Sequence, residues 1–211
     1  MSSFILMGDV IGSSRQNASD LANQLQGLVG SVNAARQDDI VSPLTVTLGD
    51  EFQAVCKSFE GASRTVQQCN EGLLRRSRPF ELRYVIYQGK IETEINPDIA
   101  HGMLGEGLTK ARELLSRKDS SRARTQIVLE DKESETFHTL LYAIIDNMWN
   151  EPGLRRFPEI FAELLYTDGS DEDVAEMFDR ERSQVWKYRR NWNMVVYRSS
   201  LEMMRQGFFR Q

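Results

Sequence analysis

The residues of this chain best placed to do chemistry are carboxylates that follow a glycine at the end of an apolar run. Asp9 closes Phe4-Ile5-Leu6-Met7-Gly8, and Asp50 closes Leu44-Thr45-Val46-Thr47-Leu48-Gly49 about 40 residues later. Each pattern reads as a strand ending in a carboxylate. If the two strands are neighbours, Asp9 and Asp50 share one sheet edge. Two carboxylates there suit Mg²⁺, or Mn²⁺ in its place, because a hard cation takes oxygen ligands and shares them with phosphates. Val10, Ile11, Gly12 and Ser13 follow the first carboxylate, and Gly12, Ser13 and Ser14 are small enough for backbone N–H groups to approach phosphate oxygens. Gly49 and Glu51 flank the second carboxylate. The plainer reading is that a Gly-Asp pair is simply a turn. Two such turns at strand ends, in this order and spacing, favour a metal and nucleotide site.

Composition bounds the classes. The chain has 211 residues, 40% of them hydrophobic, which is enough for one generous domain or one domain with a smaller companion. A net charge of -5 excludes a uniformly basic nucleic-acid binder but allows a local basic face. Cys56 and Cys69 have no partner at metal-binding spacing and read as small buried hydrophobes. No leader pattern and no long apolar run stand out, so the expected setting is cytoplasmic, away from a membrane.

The elements that must position the carboxylates follow from periodicity. A helix with Leu21, Leu25, Leu28, Val29 and Val32 on one face follows the first turn, with Ser19 as its cap. Residues 44–47 and 52–55 read as a hairpin with Asp50 at its tip, in which Gln53 faces solvent. A helix begins near Ser58. Leu82 to Ile86 and Lys90 to Thr93 read as a strand pair joined near Gly89. A third helix runs from Leu108 to Ser116, and Thr125 to Leu129 closes the sheet. The basic run Arg112, Arg117, Lys118, Arg122 and Arg124 reads either as a solvated face or as a triphosphate or partner contact. The order implies an α/β (α+β) fold around a ferredoxin-like βαββαβ sheet over residues 1–130.

Residues 131–211 read as a helical domain. Phe137, Leu140, Leu141, Ile144, Ile145 and Met148 form a stripe, Thr167-Asp168-Gly169-Ser170 a turn, and Ser170 a cap with Asp173. A helix-turn-helix pattern falls at about 170–206, with Asp179 at the turn position usually held by glycine. Ser183, Gln184, Lys187, Arg189 and Arg190 lie on the second helix, where side chains can reach DNA. From Arg182 to Arg210 there are seven basic residues and one acid, the footprint of phosphate contacts. The competing reading is a helical bundle for protein contacts, with Trp186, Tyr188 and Trp192 in its core.

The first 120 residues resemble a nucleotidyl cyclase domain of the class III or GGDEF kind. The resemblance rests on Asp9 with Val10-Ile11-Gly12-Ser13, on Leu48-Gly49-Asp50-Glu51-Phe52, on Leu82 to Lys90, and on Gly105-Glu106-Gly107-Leu108-Thr109-Lys110-Ala111-Arg112. With the helix-turn-helix, the arrangement is identified as a member of the SatD family. The resemblance implies two metal ions on Asp9 and Asp50, the second clamping a triphosphate through both carboxylates and the backbone of residues 10–11, and a homodimer meeting near Gly105 to Ser116. It also shows departures. Thr109 stands where the cyclases use Asn, Glu113 where they use Arg, and Val46 where they use Lys. Arg112 is one residue off, a rotation of about 100°.

These features lead to a nucleotide-responsive, Mg²⁺-dependent regulator that reads DNA. The alternatives are a divergent nucleotidyl cyclase or nucleotidyltransferase, with Asp9, Asp50 and Arg112 catalytic, or an interaction scaffold with both sites vestigial.

Overall fold

The computed structural model describes residues 2–117, 123–167 and 169–206. Lys118, Arg122, Asp168 and Arg210, singled out above, lie outside them.

Five strands form one sheet in the order β2-β3-β1-β4-β5. They are β1 (Ser2–Val10), β2 (Ile40–Val46), β3 (Glu51–Cys56), β4 (Leu82–Lys90) and β5 (Thr125–Val128). The central strand β1 runs antiparallel to both β3 and β4, and β5 joins β4 in parallel. Helices α1 (Ala18–Arg36) and α2 (Phe59–Leu74) complete the expected βαββαβ order of the α/β class, and α3 (Glu106–Ser116) then leads to β5.

Strand alternation assigns the faces. Leu6, Val10, Phe52, Ala54, Tyr84 and Ile86 point toward α1 and α2 and are fully buried. Ile5, Met7, Val55 and Val85 point the other way, against Leu108, Ala111 and Leu115 of α3. Each large apolar side chain removed from water in this way contributes about 1.5–3 kcal/mol. Gly8 is a packing requirement, because a Cβ there would lie 2.4 Å from the Phe52 ring.

The remaining helices are α4 (Lys132–Asn147), α5 (Pro152–Arg156), α6 (Pro158–Ala162), α7 (Asp171–Met177), α8 (Arg182–Asn191) and α9 (Met194–Gln206). A π-helical turn, Glu163–Thr167, follows α6. The hydrophobic core does not break at residue 130. It continues from the sheet through α2 into Leu141, Tyr142, Phe161, Tyr197 and Met204. Polar contacts cross the same seam. The Ser63 and Tyr142 hydroxyls lie 3.0 Å apart, and Arg75 reaches Glu163 and Thr167, each at 2.9 Å.

Several expectations are corrected. Asn17, not Ser19, caps α1, accepting from the N–H groups of Ser19 and Asp20. Residues 82–93 are not a strand pair. β4 is one nine-residue strand in which Gly89 pairs with Ser3, and the chain beyond Lys90 is irregular. Gly89 serves a close approach rather than a turn, since a Cβ on it would lie 3.0 Å from Gly107 of α3. In α4, Leu141 and Ile145 are buried, as is Met148 just beyond its end, but Leu140 and Ile144 face out, because the helix is covered on one side only.

Candidate functional site

Asp9 occupies the last full register pair of the central strand. Its partner on β3 is Glu51 and its partner on β4 is Arg83, so the three form a row across the sheet on the α3 face. The Asp9 carboxylate is 1% exposed and lies 2.7 Å from Arg83 Nε. Asp50 lies at the same edge, one residue before β3, and its carbonyl accepts the Val10 N–H at 3.0 Å. The direct cross-strand neighbour of Asp9 is therefore Glu51, and Asp50 stands beside the row. Gly49, at φ 85, makes the hairpin turn, and Leu48 at its tip is exposed.

The turn after Asp9 differs from a simple phosphate cradle. The Val10 N–H is bonded to Asp50, and the Ile11 N–H donates to the Glu81 carbonyl at 2.8 Å. Neither of these two amides is free to donate to a phosphate. Gly12, at φ 72, then opens a short 3-10 turn, Ser13–Arg15. A Cβ on Gly12 would lie 2.7 Å from Arg15 Nη2. The missing side chain thus lets a guanidinium fold over the turn, a cation that the sequence reading overlooked.

The donor set bears on a metal. Among the described residues, no three His, Cys, Asp or Glu side chains converge as a metal cage. Mg²⁺ characteristically uses one or two carboxylates and completes its shell with water and phosphate oxygens. Asp9 and Asp50 at one edge fit that mode, in which a cation is shared with a phosphorylated ligand.

Beside this edge a cavity of 640 Å³ opens along α3, lined by Gln53, Met103, Leu104, Thr109, Arg112 and Glu113 among others. Gln53 is not solvent-facing as expected. It is 5% exposed, donates to the Ala100 carbonyl at 3.1 Å and accepts from Arg112 Nη2 at 3.4 Å. Thr45 Oγ1 accepts the Ala100 N–H at 2.9 Å, so the hairpin pins the loop that leads into α3. Thr109, Arg112 and Glu113 all line the cavity wall. Arg124, by contrast, is drawn inward. Its guanidinium carbon lies 3.7 Å from the centre of the Trp149 ring, and burial pushes its pKa down. It is neither a solvated residue nor a ligand contact of the α3 cavity.

In the helical part, α7 and α8 form the expected pair around Asp179, which is left-handed at φ 49. Arg189 turns inward. Its Nε lies 2.9 Å from Asp171, and its Nη2 donates to the Gly169 carbonyl at 2.7 Å. The Gln184 side chain accepts the Glu181 N–H as half of a capping box. Ser183, Lys187 and Arg190 remain exposed. Trp192 is core and stacks on Tyr188 at 4.4 Å, whereas Trp186 is 48% exposed, with Arg190 5.6 Å from its ring centre. No helix among the described residues is long and apolar enough to cross a membrane.

Fold and site together define a mixed α/β protein with an acidic sheet edge and a helical part built onto the same core. The chain matches the SatD family over residues 4–203 and belongs to it. Among solved structures, it is similar to the catalytic core of a rhodopsin-guanylyl cyclase with converted specificity, determined in complex with ATPαS. That pair is 18% identical with a TM-score of 0.40, covering 60% of this chain and 76% of the other. No curated protein matches the chain.

Proposed function

We propose that this SatD-family protein binds a nucleotide together with Mg²⁺ at the edge defined by Asp9 and Asp50, as a regulator and not as a catalyst of cyclisation. The observation that carries the reading is the buried Asp9 at the end of the central strand, with Asp50 beside it at the same sheet edge. A carboxylate that is 1% exposed is costly to keep without a compensating cation. In this fold Arg83 supplies that charge, and Mg²⁺ with its phosphate would add to it. Asp9 and Asp50 would hold the metal, which when bound neutralises phosphate charge. The α3 cavity would take the nucleoside against Met103 and Leu104. Arg112, held by Gln53, lies at the wall and orients the ligand.

The regulatory reading follows from α3. Thr109 and Glu113 face the cavity where a cyclising enzyme, by resemblance, needs an amide and a guanidinium. Glu113 opposes charge building on a transferred phosphoryl group. The exposed Leu48, Ile99 and Leu104 around the same flank suit pairing with a second copy.

Thermal shift of the full chain with ATP, GTP, CTP and UTP, each with and without Mg²⁺, tests the reading. A ligand that binds only the folded state raises its melting point. Stabilisation should be larger with Mg²⁺ than without it, and the Mg²⁺-dependent part should be lost in Asp50→Asn. If no nucleotide stabilises the protein, the reading fails.

One observation favours a second role. Trp186, Lys187 and Arg190 present an aromatic and basic face on exposed α8, suited to nucleic acid.

A further inference from the structure

A second cavity, of 390 Å³, lies on the far side of the first acidic turn, between that turn, the loop before β4 and α5. It falls near the small end of ligand cavities, about 300–1,000 Å³. Three arginines from three separate segments line it: Arg15 after β1, Arg78 before β4 and Arg155 on α5. Glu81 is the acid in the lining, and it is ion-paired with Arg78. Guanidinium groups so close repel one another. Burial, and then the charges of Arg155 and Arg124, hold the Arg78 pKa below its ordinary value.

The backbone adds an independent observation. Ser77 at φ 61 and Arg78 at φ 53 are consecutive non-glycine residues in the left-handed region, and Pro79 follows. That conformation is disfavoured for each, more so before proline. Such strain persists where the surroundings impose it and clusters at ligand clamps. Here it holds Arg78 under the turn that carries Ile11 and Arg15.

We propose that this cavity binds the terminal phosphates of a di- or triphosphate, with Arg155 supplied to the sheet edge by the helical half of the chain. The inference deepens the nucleotide reading and rests on it for the ligand class. Guanidinium forks match phosphate oxygens in geometry and charge. A polyphosphate here would supply the counter-charge that Glu81 alone does not. It would also tie α5 to the β1 turn, so occupancy of the site reaches the helices.

The test is calorimetric titration of the full chain with tripolyphosphate in chelator, where no metal can bridge to Asp9 or Asp50. Binding should be measurable, and Arg15→Glu and Arg155→Glu should each weaken it at least about tenfold. Both side chains are exposed, so unchanged melting points without ligand confirm folding. Arg155→Lys should retain part of the affinity. No metal-free binding by the natural protein, or unaltered affinity in Arg155→Glu, overturns the inference. Asp50→Asn separates the two readings: it should lose Mg²⁺-dependent nucleotide stabilisation and keep metal-free tripolyphosphate binding. ATP in the same chelator identifies the source. Affinity equal to that of tripolyphosphate supports a nucleotide's phosphate tail, and no ATP binding overturns the link to nucleotides.

Discussion

Asp9 and Arg83 face each other across the β1–β4 pair, carboxylate to guanidinium at 2.7 Å, with 1% and 18% of their side chains exposed. Removing one member of a buried pair leaves an uncompensated charge. Asp9→Asn should therefore destabilise the fold by roughly 3 kcal/mol, the low end for such pairs because Arg83 keeps some solvent. Arg83→Met should cost more, since it strands the more deeply buried partner. The double variant should recover much of the loss. Urea denaturation of the three variants checks the cycle. Additive losses would show that the pair does not couple.

Turnover is the next expectation. Loss of one preorganised donor at a developing charge typically costs about 10²–10³ in rate. With Thr109 and Glu113 at both positions, purified protein with any nucleoside triphosphate and Mg²⁺ or Mn²⁺ should release no significant pyrophosphate. A pyrophosphate-release assay gives the answer, and robust cyclic product would restore the enzymatic alternative.

The strand-end carboxylates were legible in the sequence, because an apolar run before Gly-Asp is a local pattern. Their partner was not. Arg83 meets Asp9 only through the β1–β4 register, and nothing local to Leu82-Arg83-Tyr84 announces it. Gly89 misled for a related reason. Glycine signals a turn in one dimension, whereas here it makes room for Gly107 on another element. Arg15 escaped notice because its guanidinium is placed by the absence of a side chain on Gly12. Leu140 and Ile144 fit a helical stripe, but periodicity does not say how wide a neighbouring surface is.

His138 should give the stability a pH dependence above the carboxylate range. It is 5% exposed and packs at a tilt against Phe59, ring centres 4.2 Å apart, and its Nδ1 finds no hydrogen-bond partner among the described residues. Burial holds its pKa below the ordinary 6.5, and Glu60 opposes this weakly. Above pH 6.5 the ring is neutral folded or unfolded, and its contribution is intact. As pH falls below 6.5, the unfolded chain takes up a proton that the folded ring resists, so stability drops, by at most about 1.4 kcal/mol per pH unit. Urea midpoints at pH 7.5 and 5.5 should separate in the natural protein and converge in His138→Phe.

Gly153 on α5 lies under Trp192, with a hypothetical Cβ 2.0 Å from the indole. Gly153→Ala should force the ring out of its stack with Tyr188 and destabilise the protein by about 1–3 kcal/mol. Tryptophan fluorescence should shift to the red. An unchanged spectrum and midpoint would refute this packing.

The α8 face yields a discriminating pair. Lys187→Glu with Arg190→Glu should remove any salt-sensitive binding to duplex DNA and leave the melting point unchanged. Arg189→Glu should instead lower the melting point, because it breaks the ion pair with Asp171. Gel shift at two salt concentrations, together with a thermal scan, tells them apart.

Helix α2 lies against the sheet on one side and the C-terminal helices on the other, which is why Ser63, Thr65, Gln67 and Asn70 are as buried as its apolar residues. Met204 of α9 closes over Ser63 and Gln67. Neither half can swing away and bare this helix while the other stays folded. Its amide protons should then exchange with deuterium only when the whole chain opens, which makes α2 the slowest clock in the molecule and its exchange rate a direct reading of global stability.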